Sequence, residues 1–210
     1  MILFQAWELI DVFGTLQPLQ GLAKQYQLNL SLISESLDPV TSRPVAPSMN
    51  PLNSSFYPAI VPTHTVKNAP PLDVLIIPGG LGTRSPLINA TIDYIKATAP
   101  KVKYIITICS GSLLAARAGL LNNKTATTNK QSWDATVQGQ TAVNWVPHAR
   151  WTVDGNIWTT SGLSSGVDGT LAWIDCIFGK ELAYNMTLYM EWNREENANN
   201  DPFAALSWVF

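Results

Sequence analysis

The chain has 210 residues, 46% of them hydrophobic, with a formal net charge of −2 and no basic run. That is long enough for one well-buried domain and short for two, and it lacks the basic footprint of a nucleic-acid binder. No apolar stretch approaches the roughly 20 residues that span a bilayer, so neither nucleic acid nor membrane is an expected partner.

In chain order, Ile2 to Phe4 predicts the end of a first strand, entering a loop that carries Asp11 and Gly14. A helix is predicted from about Leu16, because Pro18 suits a first turn and Leu19, Leu22, Ala23 and Tyr26 recur at i, i+3, i+4 and i+7. Leu28, Leu30 and Leu32 then alternate with Asn29, Ser31 and Ile33, the period of a strand, so the chain opens β-α-β. From Asp38 to Pro62, prolines 39, 44, 47, 51, 58 and 62 forbid a helix and predict a surface insertion with at most short edge strands. Leu72 to Pro78 reads as a buried strand ending at Gly79 and Gly80. Ser85 then offers an N-cap, with Pro86 at the first helical position and Ile88, Ile92, Ile95 and Ala99 on one face.

Tyr104 to Ile108 predicts the next buried strand, and a helix with Leu113, Leu114 and Ala116 follows without a spacer. Beyond Gly119 come a turn and a short strand in LLNNKTATT, a hairpin centred on Asp154-Gly155, and two helices broken at Gly179. Three βα units in succession predict an α/β fold, one domain over 1–210, with a largely parallel sheet and helices on both faces.

Cys109 sits at the joint between strand and helix. Ser110, Gly111 and Ser112 permit the sharp turn that exposes a nucleophile above a sheet. The free N–H groups of the new helix predict a thiol pKa below the usual value of about 8.5. Ligands of open α/β sheets bind beyond the carboxyl ends of the strands, where Asp11, the Gly79-Gly80 turn and Cys109 all fall. Backbone N–H groups of Gly80 and Ser110 facing the thiol would form an oxyanion-type site, and Asp11, desolvated beside Cys109, would have a raised pKa and pass a proton. The plainer alternative makes Cys109 a small buried hydrophobe and Asp11 a surface-loop or helix-end carboxylate.

Two cysteines and two histidines without ligand-spaced carboxylates predict no metal, and no phosphate-binding glycine motif predicts a nucleotide cofactor. Cys176, inside the apolar run AWIDCIFG, is expected to be core filler. Charged residues are only 13% of the chain, against roughly 25% on average. Asn-X-Ser/Thr occurs at Asn29, Asn53, Asn89, Asn123 and Asn185, where composition gives about two or three. Both facts favour a secreted chain whose leader is not part of this sequence, with an Asn-rich cytosolic protein as the alternative.

Four separated segments, ILFQAWELIDVFGTL, LDVLIIPGGLGTR, IITICSGSLLAARAGLLNNKTATT and WTVDGNIWTTSGLSSGVDGTLAWID, together resemble the PfpI/Parkinsonism-associated deglycase superfamily, part of the class I glutamine amidotransferase-like fold. The resemblance implies a flavodoxin-like α/β sandwich, usually a cofactor-free homodimer, with Cys109 as a nucleophile-elbow cysteine. Cys109-Ser110-Gly111-Ser112 is similar to the Cys-Thr-Gly-Ser run of the isocyanide hydratase branch, and Asp11 falls where that branch has a catalytic Asp. Thr15 replaces a common Pro, and Thr127-Thr128-Asn129 replaces a common Thr-Thr-His, which removes a nearby imidazole; His148 is expected to be a surface or loop histidine.

The implied chemistry is hydration of a small-molecule electrophile: Cys109 attacks an isocyanide carbon, Asp11 carries the proton and Ser110 hydrogen-bonds the intermediate. A glyoxalase or deglycase acting on aldehydes is the alternative enzyme, and a redox sensor or chaperone using an oxidisable Cys109 the alternative class. Substrate choice would depend on which aromatic residues, such as Trp7, Phe13, Trp145 or Trp151, line the cavity.

Overall fold

The computed structural model describes residues 1–204. In chain order it runs α1 (Leu9–Leu22), β1 (Ile33–Ser34), β2 (Val40–Thr41), β3 (Ala59–Ile60), β4 (His64–Thr65), β5 (Val74–Ile77), α2 (Asn89–Thr98), β6 (Tyr104–Thr107) and α3 (Gly111–Arg117). The remainder is β7 (Thr125–Ala126), α4 (Trp133–Val137), β8 (Asn144–Trp145), β9 (Trp151–Asp154), β10 (Ile157–Thr160), α5 (Leu163–Phe178) and α6 (Lys180–Met190).

The central sheet has the order β5-β6-β10-β9, with β5, β6 and β10 parallel and β9 antiparallel at the edge. Residues 1–3 extend it: Ile2 N–H donates to Ile76 O at 2.9 Å, while Leu3 N–H donates to Ile33 O at 2.7 Å. The N-terminal segment thus lies between β5 and β1, and β1 pairs in parallel with β4. Continuous β-branched and apolar runs make strands covered on both faces, and Leu75, Ile77, Ile106 and Ile108 are all wholly buried.

Two helical groups form around this sheet: α1 and α6 pack on α5, and α2 packs on α3. Small residues bring α5 close to the strands. A Cβ on Gly166 would lie 2.5 Å from Ile108 Cγ2, and one on Gly169 would lie 2.5 Å from Thr160 Cγ2. Close approach of this kind carries the ends of β6 and β10 against the start of α5.

Several sequence expectations hold, including the βα unit at Cys109, the β9–β10 hairpin with Gly155 at φ 64°, and the helix break at Gly179. The proline-rich insertion carries two-residue strands, β2 and β3, which pair with each other, and, against the expectation of no helix, one short 3₁₀ turn at Pro47–Met49, where proline at the first position needs no N–H partner. Three further expectations are corrected. Helix α1 starts at Leu9, so Asp11 lies in its first turn and not in a loop, and Pro18 lies inside the helix. The alternating Leu28–Leu32 stretch forms no strand: Leu28 and Leu30 are exposed, and pairing begins at Ile33, where the N-terminal segment supplies a partner. Helix α2 begins at Asn89 without a side-chain cap, because Ser85 is spent on a turn, its Oγ accepting from Leu87 N–H at 3.2 Å.

Candidate active site

Cys109 follows β6 with φ 55°, a left-handed conformation that costs a non-glycine residue about 1–2 kcal/mol. The surrounding bonds impose it. Ile108 N–H donates to Ile77 O at 2.9 Å and Gly111 N–H to Ile108 O at 2.8 Å, so the chain must reverse within one residue. Gly111 permits this, since a Cβ there would press on the Ile77 and Pro78 carbonyls. The Cys109 carbonyl accepts from Ser112 Oγ at 3.2 Å and Thr128 Oγ1 at 3.1 Å, which fixes the peptide from both sides.

Asp11 is wholly buried, and its Oδ2 accepts from Gly79 N–H at 2.8 Å. Its Oδ1 is also buried and has no hydrogen-bond partner among the described residues. Burial pushes the carboxyl up from 3.8 to about 7, the Glu8 charge adds to that, and the Gly79 N–H and the Cys109 thiol pull it back. Gly79 marks where the groups meet: a Cβ there would lie 2.7 Å from Asp11 Oδ2, 2.7 Å from Ser110 N and 2.8 Å from Ser110 Oγ.

Ser110 is buried, and its N–H and hydroxyl both face the Cys109 sulfur and favour the thiolate. Its Oγ accepts from Gly80 N–H at 3.0 Å and lies 3.4 Å from Thr83 Oγ1. The Gly80 N–H, expected to face the thiol, is instead bound to the Ser110 hydroxyl, which lies 3.3 Å from Gly80 O, while the Ser110 N–H is directed at the sulfur.

The thiol itself departs from expectation. Cys109 is only 6% exposed, and burial together with the Asp11 charge pushes its pKa well above the ordinary value; the N–H and hydroxyl of Ser110 oppose this without reversing it. Helix α3 spans only Gly111–Arg117, a weak dipole against such desolvation. Cys176 is corrected in the other sense, being exposed and not core filler, because the outer face of α5 turns it to solvent.

Residues that the sequence did not single out complete the arrangement. Thr83 is wholly buried, and its hydroxyl donates to Gly80 O at 2.9 Å beside Ser110. Arg117, the one charge on α3, donates from Nη1 to Thr83 O at 3.0 Å and to Ser85 O at 3.4 Å, pinning the glycine turn to the helix behind Cys109. A lone arginine in an otherwise apolar helix was the available signal. Asn129 accepts from Ser132 N–H through Oδ1, an ordinary turn contact, and His148 is exposed.

Trp7 is buried, donates from Nε1 to Val40 O at 3.0 Å and meets Phe13 edge to face at 5.6 Å. A cleft of about 360 Å³ beside Phe4 and Gln5 is bounded by Glu35, Val40 and Leu87; neither Cys109 nor any of the four aromatic residues singled out above lines it. Among the described residues no cluster of three or more His, Cys, Asp or Glu is placed to hold a metal, and no helix is long and apolar enough to cross a membrane.

A strained cysteine at a strand end, with a buried carboxyl against it, is the geometry of an elbow nucleophile. The profile of the DJ-1/PfpI family matches residues 1–175. The chain belongs to the DJ-1/PfpI family. It is 31% identical over 194 residues to an isonitrile hydratase of Pseudomonas putida, a match covering 91% of this chain and 76% of that protein. A second relative, the HTH-type transcriptional regulator GbdR of Pseudomonas aeruginosa, is 29% identical over 126 residues, 59% of this chain but only 34% of the regulator. Among solved structures, a ThiJ/PfpI family protein from Pseudomonas syringae superposes with a TM-score of 0.76 at 27% identity, covering 93% of this chain and 74% of that one. The chain is thus similar both to a protein named as a hydratase and, over 34% of that protein's length, to one named as a regulator, and the fold alone does not choose between them.

Proposed function

We propose that this DJ-1/PfpI protein is a cofactor-free hydro-lyase that adds water to an isocyanide to give an N-substituted formamide. The observation that carries the reading is the buried Asp11 carboxyl, anchored through Oδ2 to Gly79 and set beside the Cys109 thiol. Similarity to an isonitrile hydratase over 91% of the chain supports the substrate class. The two helical groups around a mostly parallel sheet fit the flavodoxin-like sandwich on which this chemistry would be mounted.

In the proposed cycle the Cys109 thiolate attacks the terminal isocyanide carbon while Asp11 delivers the thiol-derived proton to that carbon, giving a thioimidate. Asp11, now a carboxylate, takes a proton from water as the water oxygen adds to the same carbon, and passes that proton to the imidate nitrogen. The C–S bond then breaks as the added hydroxyl gives its proton back to Asp11 and becomes the carbonyl, the electron pair returns to sulfur, and the formamide leaves. Ser110, through its N–H and its hydroxyl, holds the sulfur and the developing charge. The pair titrates as a unit, and its productive form carries one proton. Activity is expected to rise through about pH 7, where the first proton leaves the carboxyl, and to fall again at the raised pKa of the thiol.

The test is turnover of a panel of aryl and alkyl isocyanides beside methylglyoxal, by wild type, Cys109→Ala and Asp11→Asn. Loss of about 10²–10⁴-fold in isocyanide turnover on Asp11→Asn, with the fold retained, supports the proton-carrier role. Conversion of methylglyoxal alone transfers the reading to a glyoxalase. A second reading is non-enzymatic, in keeping with a relative named as a transcriptional regulator: the thiol would sense an oxidant without turnover, and inactivity on both substrates, with peroxide oxidation of Cys109 altered by Asp11→Asn, would establish it.

A further inference from the structure

The fold leaves large apolar side chains in solvent on a surface poor in charge, and they sit beside particular asparagines. Leu52 is 87% exposed and Phe56 90% exposed, on either side of Asn53. Leu87, 79% exposed, stands two residues before Asn89. Leu28 and Leu30 are exposed around Asn29, and on α6 Tyr184, Leu188 and Tyr189 are exposed around Asn185. Each of these asparagines opens an Asn-X-Ser/Thr sequence without proline, and each is itself exposed. None of them donates its Nδ2 to a protein acceptor among the described residues; Asn53 is held only through Oδ1, which accepts from Arg43 Nη2 at 2.8 Å. Isolated exposed apolar residues need no explanation, but several grouped around acceptor sequences in a chain with 13% charged residues do.

We propose that Asn29, Asn53, Asn89 and Asn185 are N-glycosylation sites whose glycans cover the apolar side chains exposed beside them. In the modification, Asn Nδ2 attacks C1 of an oligosaccharide carried on a polyprenyl pyrophosphate. The N–C1 bond forms, the C1–O bond breaks, the polyprenyl pyrophosphate leaves with the electron pair, and one amide proton is released. Transfer precedes folding, so the helical positions of Asn89 and Asn185 are no obstacle; what the folded structure must provide is an exposed asparagine, and all four are exposed. The glycan then takes the solubilising part that charged side chains play elsewhere. Asn123 is the internal contrast. It opens a fifth sequence and is exposed, but it has no exposed large apolar neighbour in sequence.

The experiment uses the protein purified from the organism that makes it. Tryptic peptides are mapped by mass spectrometry before and after peptide-N-glycosidase treatment, which converts each glycosylated Asn to Asp. Intact protein is separately trimmed with an endoglycosidase that leaves one N-acetylglucosamine and adds no charge, and binding of a hydrophobic dye is compared with that of the untrimmed sample. Conversion to Asp at the four positions, with a several-fold rise in dye binding on trimming, is the expected result. Recovery of the four peptides with unmodified Asn overturns the proposal, as does occupied glycan whose trimming leaves dye binding unchanged. Trimming alters no residue and acts on folded protein, so a folding defect cannot mimic either outcome.

Discussion

At the scale of single residues, the site is governed by one carboxyl that the fold holds out of water. Asp11 has its pKa raised from 3.8 to about 7, mainly by burial, so the folded state favours its neutral form. The corresponding stability is complete below about pH 4 and is lost as the pH climbs through 7, with an upper bound of about 4 kcal/mol. Glu8 and Cys109 are the other titratable groups facing it. Urea unfolding of wild type and Asp11→Asn at pH 4, 6 and 8 is expected to show wild type losing stability relative to the variant as the pH rises. A difference that stays constant across that range would mean that the carboxyl is solvated and the pair does not share a proton. Cys109 is subject to the same desolvation, which is why a strand-to-helix cysteine that the sequence marks as an activated thiol has a raised pKa here. Activation then has to come from proton exchange with Asp11, not from a standing thiolate.

At the scale of elements, strain at the elbow has a measurable consequence. Cys109 holds φ 55° because β6, α3 and the Thr128 loop leave its peptide no other arrangement. Replacement by alanine keeps the positive-φ penalty, whereas replacement by glycine relieves it. Cys109→Gly is therefore expected to be more stable than Cys109→Ala by about 1 kcal/mol in chemical denaturation, despite glycine's larger unfolded-state entropy. Equal stability would place the strain elsewhere in the turn. The elbow was legible in the sequence because its information is local: a β-branched run, a cysteine and three small residues. The start of α1 was not. The helix starts earlier because Glu8 caps it, its side chain accepting from Leu9 N–H, while Pro18 inside the helix argued for a later start; the Gly79 N–H that donates to Asp11 comes from far along the chain. The Leu28–Leu32 alternation failed for a related reason, since a strand needs a partner and the N-terminal segment reaches only Ile33. Thr83 was out of reach and Arg117 was marked only as a lone charge on an apolar helix, their roles being defined by a loop and a helix that meet only after folding.

At the scale of the molecule, the surface that glycans would leave bare indicates where a second copy would sit. Ile10 and Phe13 stand one turn apart on the outer side of α1, both exposed, with Val12 and Thr15 buried beneath them. Leu81, also exposed, follows Gly80, whose backbone packs against the carbonyl of Ala6. These three apolar side chains are clear of every Asn-X-Ser/Thr sequence, and they border the helix that carries Asp11. A twofold dimer built on this face would be isologous, each α1 meeting the other, and would need to bury about 1,600 Å² in total, so its footprint must extend beyond these residues. The chain is accordingly expected to sediment at micromolar concentration as two copies, each with a polypeptide mass of 23.0 kDa. Ile10→Ser with Phe13→Ser is expected to give a monomer that keeps its fold, since neither side chain belongs to the core. A wild type that sediments only as a single chain would remove the dimer, and a double variant that remains dimeric would move the interface away from α1.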